Sequence, residues 1–304
     1  MWEYEQKLVS PDPPQSGDRF GTSVAIDGDA ILIAKPSCGL DNNIGSGYVF
    51  RWNGATWAHE GTLTGSDAAP GDCVNAAALH GALAVIGAYF HEAAGEGSGS
   101  AYVFRLISGK WEQTRKLTAS DAAVGDLFGY SVSVDRGSLL IGAPGRDGAD
   151  TISGSAYPIE CLPPGCTQTT PLTASDGGRD REFGSSVAIN GNLAVVGSGG
   201  PPWGYLFRHD GSKWVEVDRF FLGGFDESVQ PAQSVSIDGD YALVHQLVYQ
   251  VRNGATFGDY AALQRCFGEG EGTVSEVCKR FDRVQDGVID FQDYRKFLPR
   301  FTGP

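Results

Sequence analysis

The clearest chemical pattern is a twelve-residue run near the end of the chain, Asp282-Arg283-Val284-Gln285-Asp286-Gly287-Val288-Ile289-Asp290-Phe291-Gln292-Asp293. Carboxylates stand at positions 1, 5, 9 and 12, glycine at position 6 where the chain must turn sharply, and the Val288 carbonyl at position 7. Hard cations such as Ca²⁺ collect six to eight oxygens from this spacing. The expected ligands are therefore Asp282, Asp286, Val288, Asp290 and Asp293. Position 3 is Val284, which offers no side-chain oxygen, and position 12 is Asp where a bidentate Glu would bind more tightly. Both features weaken the site. Extracellular calcium modules nevertheless work at dissociation constants of about 10⁻⁴ to 10⁻³ M.

A second set of carboxylates, Asp18, Asp72, Asp126 and Asp180, recurs every 54 residues. Two carboxylates in different environments make the acid and base of glycoside hydrolysis. Several equivalent ones more simply hold turns. The histidines His59, His80, His91, His209 and His245 are scattered. Of these, His91 lies beside Glu92 in a glycine-rich loop, where it has a route to a ligand. No Gly-x-Ser-x-Gly elbow, phosphate loop or His-Glu-x-x-His occurs, so the common nucleophile, nucleotide and zinc-hydrolase chemistries have no anchor. The expectation is a binding or scaffold protein with no catalytic residues. A glycoside hydrolase is the alternative. A lectin stands between the two, with Trp52, Trp57, Trp111, Trp203 and Trp214 available to stack on sugars.

These residues are carried by a repeated unit. Gly17-Asp18-Arg19-Phe20-Gly21-Thr22-Ser23-Val24-Ala25-Ile26-Asp27-Gly28 returns as Gly125 to Asp135, as Phe183 to Gly191, more weakly as Gln233 to Gly239, and in worn form at Gly71 to Asn75. In the worn copy Val74 and Asn75 replace the Phe-Gly pair. Each copy runs into an apolar stretch, at Ala30–Ala34, Leu83–Ala88, Leu139–Pro144, Leu193–Gly197 and Tyr241–Val244. A third strand follows, as in Ser46-Gly47-Tyr48-Val49-Phe50, and a tryptophan turn then leads to a fourth. Alternation such as Val24 and Ile26 against Ala25 and Asp27 has the period of two that strands require. Asp27-Gly28, Asn190-Gly191 and Asp238-Gly239 suit hairpin turns. Four short strands per period of about 50 residues make a propeller blade. Tyr48, Phe50, Tyr102, Phe104, Tyr157, Tyr205 and Phe207 fall at matching strand positions and are expected between blades.

The ends of the array suggest how it closes. Trp2 to Val9 reads as a fourth strand with no blade before it. The fifth repeat supplies strands one to three, ending at Leu247 to Arg252, and no fourth. The expected fold is mainly β, a five-bladed β-propeller of four-stranded blades closed by the N-terminal strand. Closure leaves no open sheet edge. Residues 1–254 form this domain. From residue 255 the periodicity turns helical, with Tyr260, Leu263 and Phe267 on one face and Tyr294, Phe297 and Leu298 on another.

The Phe-Gly pairs, Gly142-Ala143-Pro144, Lys116-Leu117-Thr118-Ala119-Ser120-Asp121 and Ser98 to Phe104 resemble FG-GAP repeats, known from integrin α-subunit propellers and from bacterial proteins. The resemblance covers residues 2 to about 252 and implies adhesion or ligand binding at cell surfaces. Integrin propellers often carry calcium in the loop after Gly-Ala-Pro. The equivalents here, Asp41-Asn42-Asn43, Glu92 to Glu96, and Asp147 with Asp150, lack alternating oxygen ligands. Residues 255–304 resemble half of a dockerin-like, EF-hand-like module, similar to tails of planctomycete secreted proteins, which implies calcium-stabilised attachment.

The net charge of −14 repels phosphate backbones and anionic membranes. Nucleic acid is therefore not an expected partner; a protein or carbohydrate ligand is, with the chain a monomer. No apolar run is long enough to span a bilayer. Six cysteines without metal spacing point to disulfides and an extracellular or cell-surface location. Cys161 and Cys166 bracket a Leu-Pro-Pro-Gly turn, Cys266 and Cys278 flank a glycine-rich loop, and Cys38 with Cys73 follows by elimination. The opening Met1-Trp2-Glu3-Tyr4-Glu5 is not a signal peptide; secretion would require one that has been removed.

Overall fold

A computed structural model describes residues 5–13, 19–38, 44–146, 153–163, 165–176, 182–199, 204–220, 234–239, 241–244 and 247–251. The expected helical module with its ligands Asp282, Asp286, Val288, Asp290 and Asp293 lies outside these residues. So do Cys266, Cys278, Asp41, Asn43, Asp147 and Asp150.

The described chain is built from antiparallel β-sheets in sequence order. The first holds β1 (Val24–Asp27), β2 (Ala30–Lys35), β3 (Ser46–Trp52) and β4 (Trp57–Leu63). The second holds β5 (Val74–His80), β6 (Leu83–Ala88), β7 (Ser100–Ile107) and β8 (Lys110–Leu117). The third holds β9 (Ser131–Asp135), β10 (Ser138–Ala143), β11 (Ser155–Leu162) and β12 (Gly165–Gln168). The fourth holds β13 (Val187–Asn190), β14 (Leu193–Gly197), β15 (Gly204–His209) and β16 (Trp214–Phe220). The fifth holds β17 (Val235–Asp238), β18 (Tyr241–Val244) and β19 (Leu247–Gln250). Every sheet is a simple meander. The expected Asp-Gly and Asn-Gly turns join first to second strands, with Asp27 opposite Ala30 and Asn190 opposite Leu193. A tryptophan-led fourth strand was expected at three places and found at each. The third sheet's β12 has no tryptophan; its hairpin is clamped instead by the Cys161–Cys166 disulfide across directly opposed residues.

The innermost strands stand side by side in the order β1, β5, β9, β13, β17. The apolar cores lie between consecutive sheets, as propeller blades require. Leu32, Val49 and Leu63 of the first sheet pack with Ile86, Tyr102 and Phe104 of the second. Val85 and Val103 pack with Leu139, Ile141 and Tyr157. Leu140 and Leu172 pack with Val187, Val196, Tyr205 and Phe207. Val195, Leu206 and Phe220 pack with Val235, Val244 and Tyr249. Each such side chain contributes about 1.5–3 kcal/mol when fully buried.

The N-terminal segment packs on the opposite face of the first sheet. Leu8 joins Ile33, Tyr48, Phe50, Phe20 and Trp57, and the Gln6 carboxamide both donates to the Trp57 carbonyl and accepts from its N–H. Leu63, Leu117 and Leu172 make the same kind of contact, each leaving an outer strand to pack on the next sheet's core. Strand pairing between residues 5–13 and β19 is not found among the described residues. Val24 and Ile26 of β1 remain 58% and 66% exposed, although the equivalent Val235 and Ile237 of β17 are buried.

Candidate functional site

Each of the first four repeats carries a tyrosine in its third strand and an aspartate in a loop 29 to 36 residues earlier. Tyr102 donates to Asp67 at 2.9 Å, Tyr157 to Asp121 at 2.9 Å and Tyr205 to Asp176 at 3.0 Å; Tyr48 donates to Asp12. Because the phenol sits in the core, burial pushes the Tyr102 and Tyr157 hydroxyls well above the usual tyrosine range, and the facing carboxylate adds to this. A cation completes each cluster. It comes from strand four in Lys116 and Arg219, and from the end of strand two or just after it in Lys35 and Arg146. The Lys116 hydrogen bond, followed by that from Tyr102, holds Asp67 below the ordinary carboxylate range against the opposing effect of burial. At Asp121 burial is the largest influence and acts upward, but the Tyr157 and Arg146 hydrogen bonds outweigh it and the carboxyl is lowered.

His91 falls at the position of Arg146, three residues after the end of strand two. In that repeat Lys116 already supplies the cation. A lysine ammonium only donates, so His91 Nε2 accepts from Lys116 Nζ at 2.8 Å and Nδ1 donates to Asp72 Oδ2 at 2.8 Å. His91 is buried in this cluster and ties the loop after β6 to the turn before β5 and to β8. Asp72 also accepts from the Ala69 N–H, and Asp126 accepts from the Ala123 N–H in the same way. Both hold the turn before an inner strand. Asp18 and Asp180 lie outside the described residues.

The Phe-Gly and Gly-Ala motifs of one blade are joined by a hydrogen bond, and they also press on the neighbouring blade. Within a blade the Gly129 N–H donates to the Gly142 carbonyl, and the Gly184 N–H to the Gly197 carbonyl. A Cβ at Gly142 would overlap the Gly184 carbonyl, and one at Gly129, where φ is +91°, would overlap the Ser100 carbonyl. Phe128 and Phe183 then meet Tyr157 and Tyr205 edge-on at 5.3 and 5.1 Å. The serines that follow stitch the inner strands together. Ser23 Oγ accepts from the Ala77 N–H, Ser131 Oγ donates to the Gly184 carbonyl, and Ser186 Oγ accepts from the Val235 N–H.

This stitching leaves a cavity of about 470 Å³ at one end of the inner strands of sheets one to four. Its wall is hydroxyl- and amide-rich, with Thr22, Asn75, Tyr130 and Ser185 at equivalent or adjacent repeat positions, and Glu182 is its single charged residue among those described. Asn75 sits where β5 slips register against β6 between Val74 and Ala76. Asn75 Oδ1 and Ser185 Oγ are buried without a hydrogen-bond partner. Tyr130, 37% exposed, packs edge-on against Tyr89 at 5.2 Å, and Tyr89 against the exposed Phe90 at 4.5 Å.

The FG-GAP repeat model matches residues 2–50, 57–104, 111–159 and 166–201. The chain belongs to the FG-GAP repeat family. Each FG-GAP match from the second onward begins at or next to the start of an outer strand and runs into the next sheet, as far as its third strand in the second and third matches and through its second strand in the fourth, so the sequence unit straddles two blades. No curated protein matches the chain. Among solved structures, Sqt1 from Chaetomium thermophilum is similar at 11% identity and a TM-score of 0.42, covering 75% of this chain and 67% of that one.

The five expected calcium ligands lie outside the described residues, and no group of three metal-ligating side chains occurs within them. Glu92 and Glu96 are exposed. The described tryptophans named for sugar stacking lie half-exposed on the outer hairpins. Trp52 and Trp57 pair across their turn at 5.7 Å, the Trp111 indole donates to Glu60 of the preceding blade, and Trp214 packs on the core between sheets three and four. Trp203 lies outside the described residues. Tyr130 and Asn75, which line the cavity, were not among the residues singled out from sequence. The signal available was their place in the repeat, directly after Phe-Gly in one copy and in place of that glycine in the other.

Proposed function

We propose that this FG-GAP protein is a recognition propeller working outside the cell or at its surface, with a protein or glycan bound at the mouth of its inner strands. One observation carries the reading: a polar cavity walled by four successive blades, with one carboxylate and no acid–base pair among its described residues. Most glycoside hydrolases use two carboxyl groups about 5 to 9.5 Å apart. The test is a panel of chromogenic glycosides with the purified chain. No turnover above the blank is expected, and saturable turnover would overturn the reading in favour of a hydrolase. The disulfides Cys38–Cys73 and Cys161–Cys166 suit an oxidising compartment.

The reading includes ring closure at five blades. Residues 5–9 dock on the first sheet by the contacts that outer strands use elsewhere, and the first family match begins at residue 2, in phase with those beginning at 57 and 111. As the fourth strand of the fifth sheet, this segment would bring that sheet over Val24 and Ile26.

The tail is proposed as a calcium-stabilised attachment module, with Asp282, Asp286, Asp290 and Asp293 and the Val288 carbonyl as ligands. Calorimetry of the full chain should show millimolar Ca²⁺ binding that Asp286→Ala removes. Absence of heat at millimolar calcium would reject the site.

A further inference from the structure

We propose that the mouth cavity is a binding site for a neutral saccharide, with Tyr130 as its stacking platform and Asn75, Ser185 and Thr22 as its hydrogen-bonding wall. The inference rests on the recognition reading above and names the ligand class at that same site. Three observations meet here.

The first is the size and lining of the cavity. About 470 Å³ suits one or two sugar rings, within the range of small-ligand sites. A protein partner anchors on large apolar or aromatic side chains buried in fitted pockets. This wall is instead hydroxyl and carboxamide. Glu182 and the net charge of −14 disfavour acidic glycans.

The second is the pair of unpartnered polar atoms. Asn75 Oδ1 and Ser185 Oγ are buried without partners although both residues line the cavity. Such atoms cost about 1–3 kcal/mol each, and a carboxamide can turn about its last torsion to present oxygen or nitrogen to a ligand. Asn75 is also where the repeat breaks its own rule. It replaces the motif glycine and sits in a register slip, and bulges of this kind re-aim side chains beside functional sites.

The third is the aromatic shelf. Tyr130 follows the Phe-Gly of the third repeat, where the first and fourth repeats have Thr22 and Ser185. It stands 37% exposed at the cavity, braced edge-on by Tyr89. An aromatic face beside hydrogen-bonding groups matches the two sides of a pyranose, one rich in C–H and one in hydroxyl.

The experiment is a screen of the full chain against a neutral and acidic glycan array. Calorimetry with the best neutral oligosaccharide would follow, on the wild type, Tyr130→Ala and Asn75→Ala. The expected result is binding of a neutral glycan, weakened at least tenfold in both variants while their melting temperatures stay within a few degrees of wild type. Tyr130→Phe keeps the ring and should keep most of the affinity. Glycan binding unchanged in both variants would overturn the mouth site while leaving the recognition reading standing. Preference for acidic glycans, or binding of a protein ligand with no glycan bound, would overturn the ligand class. Glycoside turnover, tested separately, would sink the underlying reading itself.

Discussion

Gly142 shows how a motif residue earns its identity from a neighbour that sequence does not reveal. A Cβ there would overlap the carbonyl oxygen of Gly184 in the next blade, so the backbone itself would have to move. Gly142→Ala should destabilise the protein by about 3 kcal/mol or more. Gly191 also has positive φ, +56°, but faces open space, and Gly191→Ala should cost only about 1–2 kcal/mol. Urea midpoints of the two variants check this, and equal losses would refute the packing explanation. The Phe-Gly and Gly-Ala pairs were legible in the sequence; that each closes on the next copy was not, because the contact exists only once blades are stacked. The Tyr157–Asp121 pair was hidden in the same way, its partners lying 36 residues apart. Asp67 and Asp121 are held below the ordinary carboxylate range. A lowered folded value adds stability above the unfolded value of about 4, and that stability is lost as pH falls through the folded value. Asp121→Asn should therefore be less stable than wild type at pH 7, with the difference shrinking below about pH 4. A gap that stays constant down to pH 2 would contradict the assignment.

Among the elements, the meander of four strands was readable because apolar alternation, Asp-Gly turns and tryptophans mark each strand in turn. The third sheet broke the pattern. Its outer strand β12 lacks the tryptophan and relies on a disulfide within one hairpin. The Cys38–Cys73 disulfide does a different task, tying the loop after β2 to the start of β5 in the next blade. The residues it joins are 35 apart, against 5 for Cys161–Cys166. On chain-entropy grounds the two bonds are worth about 4 and about 2 kcal/mol. Replacing Cys38 and Cys73 together by serine should lower the unfolding midpoint more than replacing Cys161 and Cys166. The reverse order would mean that the hairpin bond relieves something other than chain entropy. The outer tryptophans show the limit of reading by residue type. Aromatics that were candidates for a sugar surface also brace outer hairpins and neighbouring blades, as the Trp111 bond to Glu60 shows. The tyrosine at the mouth was recognisable only once its neighbours in the cavity were known.

At the scale of the whole molecule, the proposed mouth rests on the proposed ring. Four inter-blade cores run from the first sheet to the fifth, and the remaining junction is the one that Val24 and Ile26 leave open. We propose that the segment around residues 5–9 fills it, since its sequence has the phase of an outer strand and the fifth sheet has three strands among the described residues. Amide hydrogen exchange over residues 5–9 of the full chain tests this most directly. A strand paired with β19 ties up backbone N–H groups, whereas docking through Gln6 and Leu8 side chains leaves them to water. Closure predicts exchange in this segment slowed to the level of the outer strands β4 and β8. Exchange at the rate of an unstructured peptide would mean that the five sheets do not close a ring by this strand.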